Sequence, residues 1–270
     1  DLRMSRGLGD VYKRQMSDGP SGVRQEFEND SWTPIDDTTD FVSWLPSNTC
    51  LCTTWNPNLA RKFGEVLGDE ARGRGKDVIL APGINIKRTP LCGRNFEYYS
   101  EDPYLSGMLA AAVIRGVQSK SGCGVTIKHF ACNNQEDNRM GVDAHISERT
   151  LREIYLRGFE IAVKEGAPTA IMSSYNLING VHAANSKDLC TRIAREEWGF
   201  DGVIMSDWNT TVPEDGSIPW VCVAAGNDII MPGNPDDDKN IRDAYKEGKL
   251  TEKEIRLCAN RILKLIRRLS

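Results

Sequence analysis

The stretch G-V-I-M-S-D-W at 202–208 bears most directly on the fold of this chain, because an apolar run ends there in a carboxylate. The run over 203–205 is typical of a strand that is covered on both faces. Ser206, Asp207 and Trp208 follow it at once. An aspartate at a strand end can cap the next turn, or it can act as a catalytic group at the mouth of a barrel. The stretch alone is compatible with both interpretations.

Other segments share the pattern of a short apolar run followed by polar residues. Clear strands are predicted for D-V-I-L-A-P-G at 77–83, G-V-T-I-K-H-F at 124–130 and T-A-I-M-S-S-Y-N at 169–176, with a weaker one for N-D-I-I-M-P-G at 227–233. Helical patterns separate or flank the strands at 57–74, 103–119, 147–165, 187–198 and 251–268. Turn residues predict loops at 209–222 and 234–240. This alternation predicts a parallel α/β architecture.

Residues able to do chemistry stand at the ends of four predicted strands. They are Asn85, Lys128 with His129, Tyr175, and Asp207 with Trp208. A (β/α)₈ barrel gathers all its strand ends on one face, whereas an open doubly wound sheet binds ligands at a single switch point. We therefore predict a TIM-like (β/α)₈ barrel. Only about five strands are recognisable, so we expect the barrel to be incomplete at its N-terminus.

Composition excludes several classes of protein. The chain has 270 residues, is 40% hydrophobic and carries a net charge of -4, which is ordinary for a globular protein. A basic surface for nucleic acid is not indicated, and neither a Walker loop nor a G-x-G-x-x-G follows any predicted strand. About 18 consecutive apolar residues would be needed to cross a membrane, and the sequence has no such run. We expect no cofactor, nucleic-acid partner or membrane partner.

The eight cysteines favour buried, reduced thiols. Cys132 and Cys222 lie in runs of small or apolar residues, and Cys50 and Cys52 form an isolated C-x-C without the partners of a zinc site. We therefore predict no metal and favour a cytoplasmic, reducing compartment. Residues 5–15 resemble a translated sequencing adapter, and we assign 1–15 to an artefact that precedes a domain at 16–270.

Five stretches distributed over 17–208 carry a specific set of motifs. They are S-D-G-P-S-G-V-R at 17–24, N-I-K-R-T-P-L-C-G-R-N-F-E-Y-Y-S-E-D-P at 85–103, I-K-H-F-A-C-N-N-Q-E-D-N-R at 127–139, S-S-Y-N-L-I-N-G at 173–180 and W-G-F-D-G-V-I-M-S-D-W at 198–208. In these the chain resembles the N-terminal barrel domain of glycoside hydrolase family 3, in its β-glucosidase branch. The resemblance implies retaining hydrolysis of terminal non-reducing β-D-glucosyl residues in β-glucosides and oligosaccharides.

Retaining hydrolysis needs an ionised carboxylate that attacks the anomeric carbon and a protonated carboxyl that assists the leaving group. The resemblance implies that Asp207 is the nucleophile, and the expected nearness of Arg94 and Lys128 would favour its charged form. The resemblance further implies that Asp18 binds hydroxyls at the non-reducing end, and that Trp208 forms an aromatic wall. The implied substrate-binding set is completed by Arg94, Lys128, His129 and Tyr175. Asp18 could instead only start the turn that follows it, and Trp208 could only pack the barrel top.

The chain departs from the family pattern in two places. Ser21 stands where the family commonly has His, which puts a minor sugar contact in doubt. In this branch the general acid/base is a Glu from a second, C-terminal domain, whereas the chain stops at Ser270. The β-N-acetylglucosaminidase branch uses an Asp-His dyad in the barrel, but here K-H-F is followed by A-C-N-N-Q-E. We therefore expect a truncated domain that lacks its C-terminal partner domain and is inactive or weakly active alone.

Two alternatives to a β-glucosidase stay open. A β-xylosidase or arabinosidase of the same family would share these motifs, although Asp18 favours glucose. A catalytically inactive sugar-binding barrel would bind the same ring without needing a nucleophile at Asp207.

Overall fold

A curled sheet of six parallel strands organises the computed structural model, which describes residues 15–26, 33, 35, 41–120 and 122–270. Its strand order is β1-β2-β3-β5-β8-β9, and β4, β6 and β7 form a separate small sheet. The strands are β1 (Met16–Asp18), β2 (Val78–Leu80), β3 (Gly124–Phe130), β4 (Asp143–Ala144), β5 (Ala170–Ser173), β6 (Leu177–Ile178), β7 (Val181–His182), β8 (Val203–Trp208) and β9 (Ile229–Met231). The parallel α/β prediction is confirmed, with the large sheet forming a half-barrel.

Helices connect and cover these strands. They are α1 (Asn48–Thr53), α2 (Pro57–Gly73), α3 (Pro103–Val117), α4 (Glu148–Thr150), α5 (Arg157–Ile161), α6 (Pro219–Ala225), α7 (Pro235–Lys246) and α8 (Glu252–Arg268). Wider π-helical turns cover Leu151–Tyr155, Ala162–Gly166 and Asp188–Glu197. In the part of the chain that the structure describes, no helix combines the length and apolar character needed to span a bilayer.

Side-chain caps explain why the main helices begin where the sequence predicts. Asn56 accepts hydrogen bonds from the amides of Asn58 and Leu59, and Pro57 occupies the first helical turn of α2. The Asp102 carboxylate caps α3 in the same way. Helix α8 opens with a capping box over 251–254, formed by Thr251 and Glu254.

The loop predictions are partly wrong. Helix α7 begins at Pro235 inside the predicted loop 234–240, because Asn234 and Asp237 form a capping box. The acidic side chains at 236–238 then stabilise the helix, because they lie at the positive, N-terminal end of its dipole. The predicted loop 209–222 also ends early, since α6 begins at Pro219. Strand β1 was not predicted, because M-S-D lacks an apolar run.

Two apolar layers cover the faces of the sheet. Ile79, Ile127 and Ile204 join the larger cluster with α2 and α3. The strand residues that alternate with these lie on the other face of the sheet, where they form a second, smaller cluster with α8, here named the inner cluster. They are Val78, Leu80, Ala170, Met172, Val203 and Met205. Burial on both faces is the pattern expected of parallel strands. It confirms the interpretation of the apolar runs in the sequence.

A buried ion cluster anchors β8 near its amino end. The Asp228 side chain is fully buried, and its Oδ2 accepts from the Ile204 amide at 2.9 Å and from Arg195 at 2.6 Å. Its Oδ1 accepts from Arg261 of α8 at 2.9 Å. Two cations and one backbone donor thus balance this buried carboxylate, which links α8 to the sheet.

The segment assigned to an adapter lies outside the described residues except for Gln15. Gln15 donates its amide to Asp77 Oδ2 at 2.7 Å, and its carbonyl oxygen accepts from Asp77 and Val78. The expectation of an incomplete barrel concerns chain before this point, which likewise lies outside the described residues.

Candidate active site

The pleat of the strands brings three predicted site residues to one face. Asp18, Lys128 and Asp207 have the parity of the inner cluster, and each lies near the carboxyl end of its strand. Because the carboxyl ends of parallel strands meet at one edge, their side chains converge there. The candidate site is therefore at the carboxyl edge of the half-barrel.

An ion network holds Lys128 at the centre of this edge. Its side chain is only 2% exposed, and its Nζ lies 2.5 Å from Asp18 Oδ1 and 3.4 Å from Glu97 Oε2. Arg94 donates from Nε to the other oxygen of Glu97. Two cations and two carboxylates therefore alternate, which is the arrangement that lets charged groups remain buried.

The ion network shifts the pKa values of Asp18 and Lys128 so that both side chains remain charged. Burial acts to raise the pKa of Asp18, but Lys128 and Arg94 outweigh it and hold that pKa below its usual range. Burial likewise acts to lower the pKa of Lys128, and the two carboxylates reverse this effect and raise it. The Asp18 side chain is 38% exposed, so solvent screens part of its interaction. Asp18 is thus a charged acceptor open to a ligand.

The two carboxylate oxygens of Asp207 differ in their hydrogen bonds. Its Oδ1 accepts from the Trp208 amide at 2.7 Å. Its Oδ2 is buried, lies 3.8 Å from His129 Nε2 and has no hydrogen-bond partner among the described residues. Burial raises the pKa of Asp207 above its ordinary value, while the Trp208 amide, Arg94, Lys128 and the nearby Tyr175 hydroxyl act to lower it. The cations thus act in the predicted direction, but burial has the larger effect.

His129 is fixed by both its backbone and its ring. Its amide donates to Asn85 Oδ1 and its carbonyl accepts from Asn85 Nδ2, each at 2.8 Å. Its ring Nδ1 lies 3.0 Å from the Tyr98 hydroxyl. Burial and the charges of Arg94 and Lys128 lower the pKa of His129 well below its ordinary value. His129 is therefore neutral near pH 7, and Asn85 acts as its backbone clamp.

Tyr175 and Trp208 complete the site around Asp207. Tyr175 is 4% exposed, and burial followed by the charge of Asp207 raises the pKa of its hydroxyl. Arg139 covers the Tyr175 ring, with its Cζ 4.6 Å from the ring centroid. Trp208 is partly buried and packs against the inner cluster. All seven predicted site residues are thus found at one edge of the sheet.

Sequence reasoning missed three buried polar residues of this edge: Glu97, Tyr98 and Asn133. A usable signal existed for Glu97, because it follows Arg94 by three residues within a quoted motif. The backbone carbonyl of Ser21 accepts a hydrogen bond from the Leu45 amide at 2.8 Å. Within the described ranges, no cluster of His, Cys, Asp and Glu is arranged to hold a metal ion.

Comparison with known proteins gives one consistent family. The model described as the glycosyl hydrolase family 3 N terminal domain matches residues 5–265. A curated relative, thermostable beta-glucosidase B of Acetivibrio thermocellus, is 43% identical over 93% of this chain and 32% of its own length. An exo-alpha-(1->6)-L-arabinopyranosidase of Bifidobacterium breve matches with the same identity and coverage.

Solved structures agree with this assignment. Beta-glucosidase 3B from Thermotoga neapolitana in complex with alpha-D-glucose is 45% identical, with a TM-score of 0.84 over 94% of this chain and 35% of that one. The chain spans about a third of the length of the relatives that it matches. The motifs, the half-barrel and these matches together identify the chain as a member of glycosyl hydrolase family 3, a family of glycosidases.

Proposed function

We propose that the protein containing this chain hydrolyses terminal non-reducing β-D-glucosyl residues from β-glucosides and oligosaccharides with retention of configuration, and that Asp207 is its nucleophile. The observation that carries the proposal is the position of the Asp207 carboxylate at the carboxyl edge of the half-barrel, where its Oδ2 lies near His129 and meets the criteria for a hydrogen bond with none of the described residues. The hydrogen bond from the Trp208 amide fixes the other oxygen and so orients the carboxylate. A carboxylate that is oriented in this way, with one oxygen outside the hydrogen bond to the Trp208 amide, suits attack on a sugar carbon.

The charged network beside Asp207 supports a sugar subsite. Asp18 can accept hydrogen bonds from two hydroxyls, while Arg94 and Lys128 supply donors whose direction is fixed by Glu97. His129, Tyr175 and Trp208 add a buried donor or acceptor, a hydroxyl and an apolar wall. Such a mixture binds the many hydroxyls and the C–H face of a pyranose ring.

The other carboxyls of this edge are engaged by cations. Asp18 pairs with Lys128, Glu97 lies between Lys128 and Arg94, and Glu136 pairs with Arg139. A general acid needs a protonated carboxyl that can reach the leaving group. This pairing supports an acid/base residue from a part of the protein outside this chain. We expect it to be a Glu of a C-terminal domain, so the chain alone should turn over unactivated glucosides weakly or not at all.

An arabinopyranosidase is the second candidate, because two relatives at 43% and 44% identity carry that name. Arabinopyranose and xylopyranose both lack the hydroxymethyl group of glucose, so all three sugars could use the same ion network. The kcat/KM values for aryl β-D-glucopyranoside, β-D-xylopyranoside and α-L-arabinopyranoside separate the candidates. A preference for either pentoside would replace the glucosidase proposal.

The nucleophile is tested by trapping it in the full-length protein. A 2-fluoro glucoside with a good leaving group should form a covalent ester that peptide mass mapping finds on Asp207. Asp207→Asn should abolish both labelling and turnover. The matched control is Asp201→Asn, an exposed aspartate just before the amino end of β8 that pairs with Lys264. It should keep normal kinetics.

Two outcomes would overturn the proposal. Labelling at another carboxyl would reassign the nucleophile. Sugar binding without any adduct or turnover would favour an inactive, sugar-binding barrel.

A further inference from the structure

A chain of hydrogen-bonded polar side chains leads from two partly exposed residues at the edge of the site to the buried His129. It begins at Arg139, which donates to Glu136 Oε2 at 2.8 Å. The other oxygen of Glu136 accepts from Asn133 Nδ2 at 2.9 Å. A carboxylate can only accept hydrogen bonds, so the Asn133 atom that faces it must be the amide nitrogen. The ion pair therefore fixes which way round the Asn133 amide lies.

The orientation of the Asn133 amide in turn determines the direction of the hydrogen bond between the Tyr98 hydroxyl and His129. The same Nδ2 donates its second hydrogen to the Tyr98 oxygen at 3.0 Å. A phenol has one hydrogen to give, and the second contact of this hydroxyl is His129 Nδ1 at 3.0 Å. Because the hydroxyl accepts from Asn133, its own hydrogen is free to point at Nδ1. Tyr98 is completely buried, which excludes water as an alternative acceptor.

We propose that Asn133 and Tyr98 are positioning residues that hold neutral His129 in the tautomer with its hydrogen on Nε2. This inference rests on the proposed function, since its value to the enzyme depends on a sugar bound at Asp207. Nδ1 accepts from Tyr98, so the single ring hydrogen lies on Nε2, the atom that faces Asp207. Burial, together with the nearby cations, disfavours a second ring proton.

The tautomer of His129 determines whether its Nε2 presents a hydrogen-bond donor or a lone pair to the Asp207 carboxylate. With a hydrogen on Nε2, the ring presents a donor 3.8 Å from the unpartnered oxygen of Asp207. That distance is too long for a direct hydrogen bond, but a sugar hydroxyl near both atoms can accept from His129 and donate to Asp207. The opposite tautomer would set a nitrogen lone pair against the carboxylate oxygen. The chain of hydrogen bonds from Arg139 to His129, which we name the relay, therefore selects a sugar hydroxyl that donates to Asp207.

Nitrogen NMR tests the assignment directly. In the full-length protein labelled with ¹⁵N-histidine, protonated and unprotonated ring nitrogens have distinct shifts, and loss of signals in His129→Asn identifies His129. We expect Nε2 protonated and Nδ1 unprotonated. Tyr98→Phe should yield a mixture of tautomers, and Asn133→Leu should do the same with the Tyr98 hydroxyl still present. A wild-type ring protonated at Nδ1, or an unchanged tautomer in both variants, would overturn the inference.

Tyr99 supplies a matched control. It is the next residue, it is 1% exposed, and its hydroxyl has no hydrogen-bond partner among the described residues. Tyr99→Phe therefore removes a buried hydroxyl outside the relay and should leave both the tautomer and the kinetics unchanged. Tyr98→Phe should lower kcat/KM roughly fivefold, the equivalent of one neutral hydrogen bond. Equal effects of both substitutions would indicate a merely structural role.

The result is separable from the test of the nucleophile. If the 2-fluoro glucoside labels Asp207 but His129 carries its hydrogen on Nδ1, the relay fails and the proposed function stands. If the Nε2 tautomer is found but no adduct forms on Asp207, the proposed function fails and the hydrogen-bond relay stands.

Discussion

Replacing Asp207 by asparagine should make the protein more stable at neutral pH while it removes the proposed activity. Burial raises the pKa of this carboxyl above the value of 3.8 that it has in the unfolded chain. Where the group is ionised in both states, the folded state therefore carries a cost. Asparagine is nearly the same size, keeps an acceptor for the Trp208 amide and carries no charge.

The expected gain is about 1–2 kcal/mol. A buried acceptor left without a partner costs about 1–3 kcal/mol, and more if it is charged. The Asp207 side chain is 11% exposed, so little of this cost is relieved by solvent. Loss of attraction to Arg94 and Lys128 takes back part of the gain, since both cations favour the ionised form.

The gain should depend on pH with a definite sign. Below 3.8 the carboxyl is protonated in both states, so Asp207 and asparagine differ little. Between 3.8 and the raised pKa of the folded state, the unfolded chain loses its proton first and the wild type loses stability. Above the folded pKa the difference is constant. The advantage of the variant should therefore appear as pH rises through this window.

Urea unfolding at a series of pH values measures this difference. Asp201→Asn is the control of opposite sign, because Lys264 lowers the pKa of Asp201 and its ionised form is the stabilising one. Being largely exposed, that pair should contribute only about 0–1 kcal/mol. An Asp207→Asn variant that is no more stable than the wild type at neutral pH would refute the argument. A gain that is the same at acid pH would refute it as well.

Three further predictions concern the ion network, a turn and the thiols. Lys128→Met should cost about 3 kcal/mol in urea unfolding and raise KM for a glucoside strongly, because it leaves buried carboxylates unbalanced; a wild-type KM would contradict this. Gly19→Ala should disturb the neighbouring Asp18 and raise KM, since its φ is +144° and a Cβ would lie 1.8 Å from a backbone oxygen, whereas Gly73→Ala, with open space, should be neutral. A thiol reagent should modify only Cys50 of the eight cysteines in the folded protein and all eight in denaturant; several fast-reacting thiols before unfolding would be inconsistent with their burial.

The elements that the sequence predicts well are those with their own local signal. Strand β3 at 124–130 has the β-branched run V-T-I, and α2 has a cap and a proline at its start. Helix α7 was missed because P-D-D-D-K has the composition of a solvated loop. The same acidic residues stabilise a helix once Asn234 caps it, so composition alone does not separate the two cases.

The candidate site divides in the same way. Asp207 and Lys128 stand at strand ends within motifs, so their convergence follows from the parity of parallel strands. Tyr98 and Asn133 could not be predicted, because the partner of a hydroxyl or an amide depends on neighbours that only the fold brings together. Whether Asp207 Oδ2 finds a hydrogen-bond partner among the described residues likewise depends on how the side chains pack.

The ion cluster around Asp228 has a practical consequence for engineering. It joins β8 at Ile204, three residues before Asp207, and reaches helix α8 through Arg261. Strand β8 is thus held by the Asp228 carboxylate near its amino end and carries the proposed nucleophile, Asp207, near its carboxyl end. Heat tolerance can therefore be sought by redesigning contacts of α8 with the sheet, at a distance from the proposed sugar site.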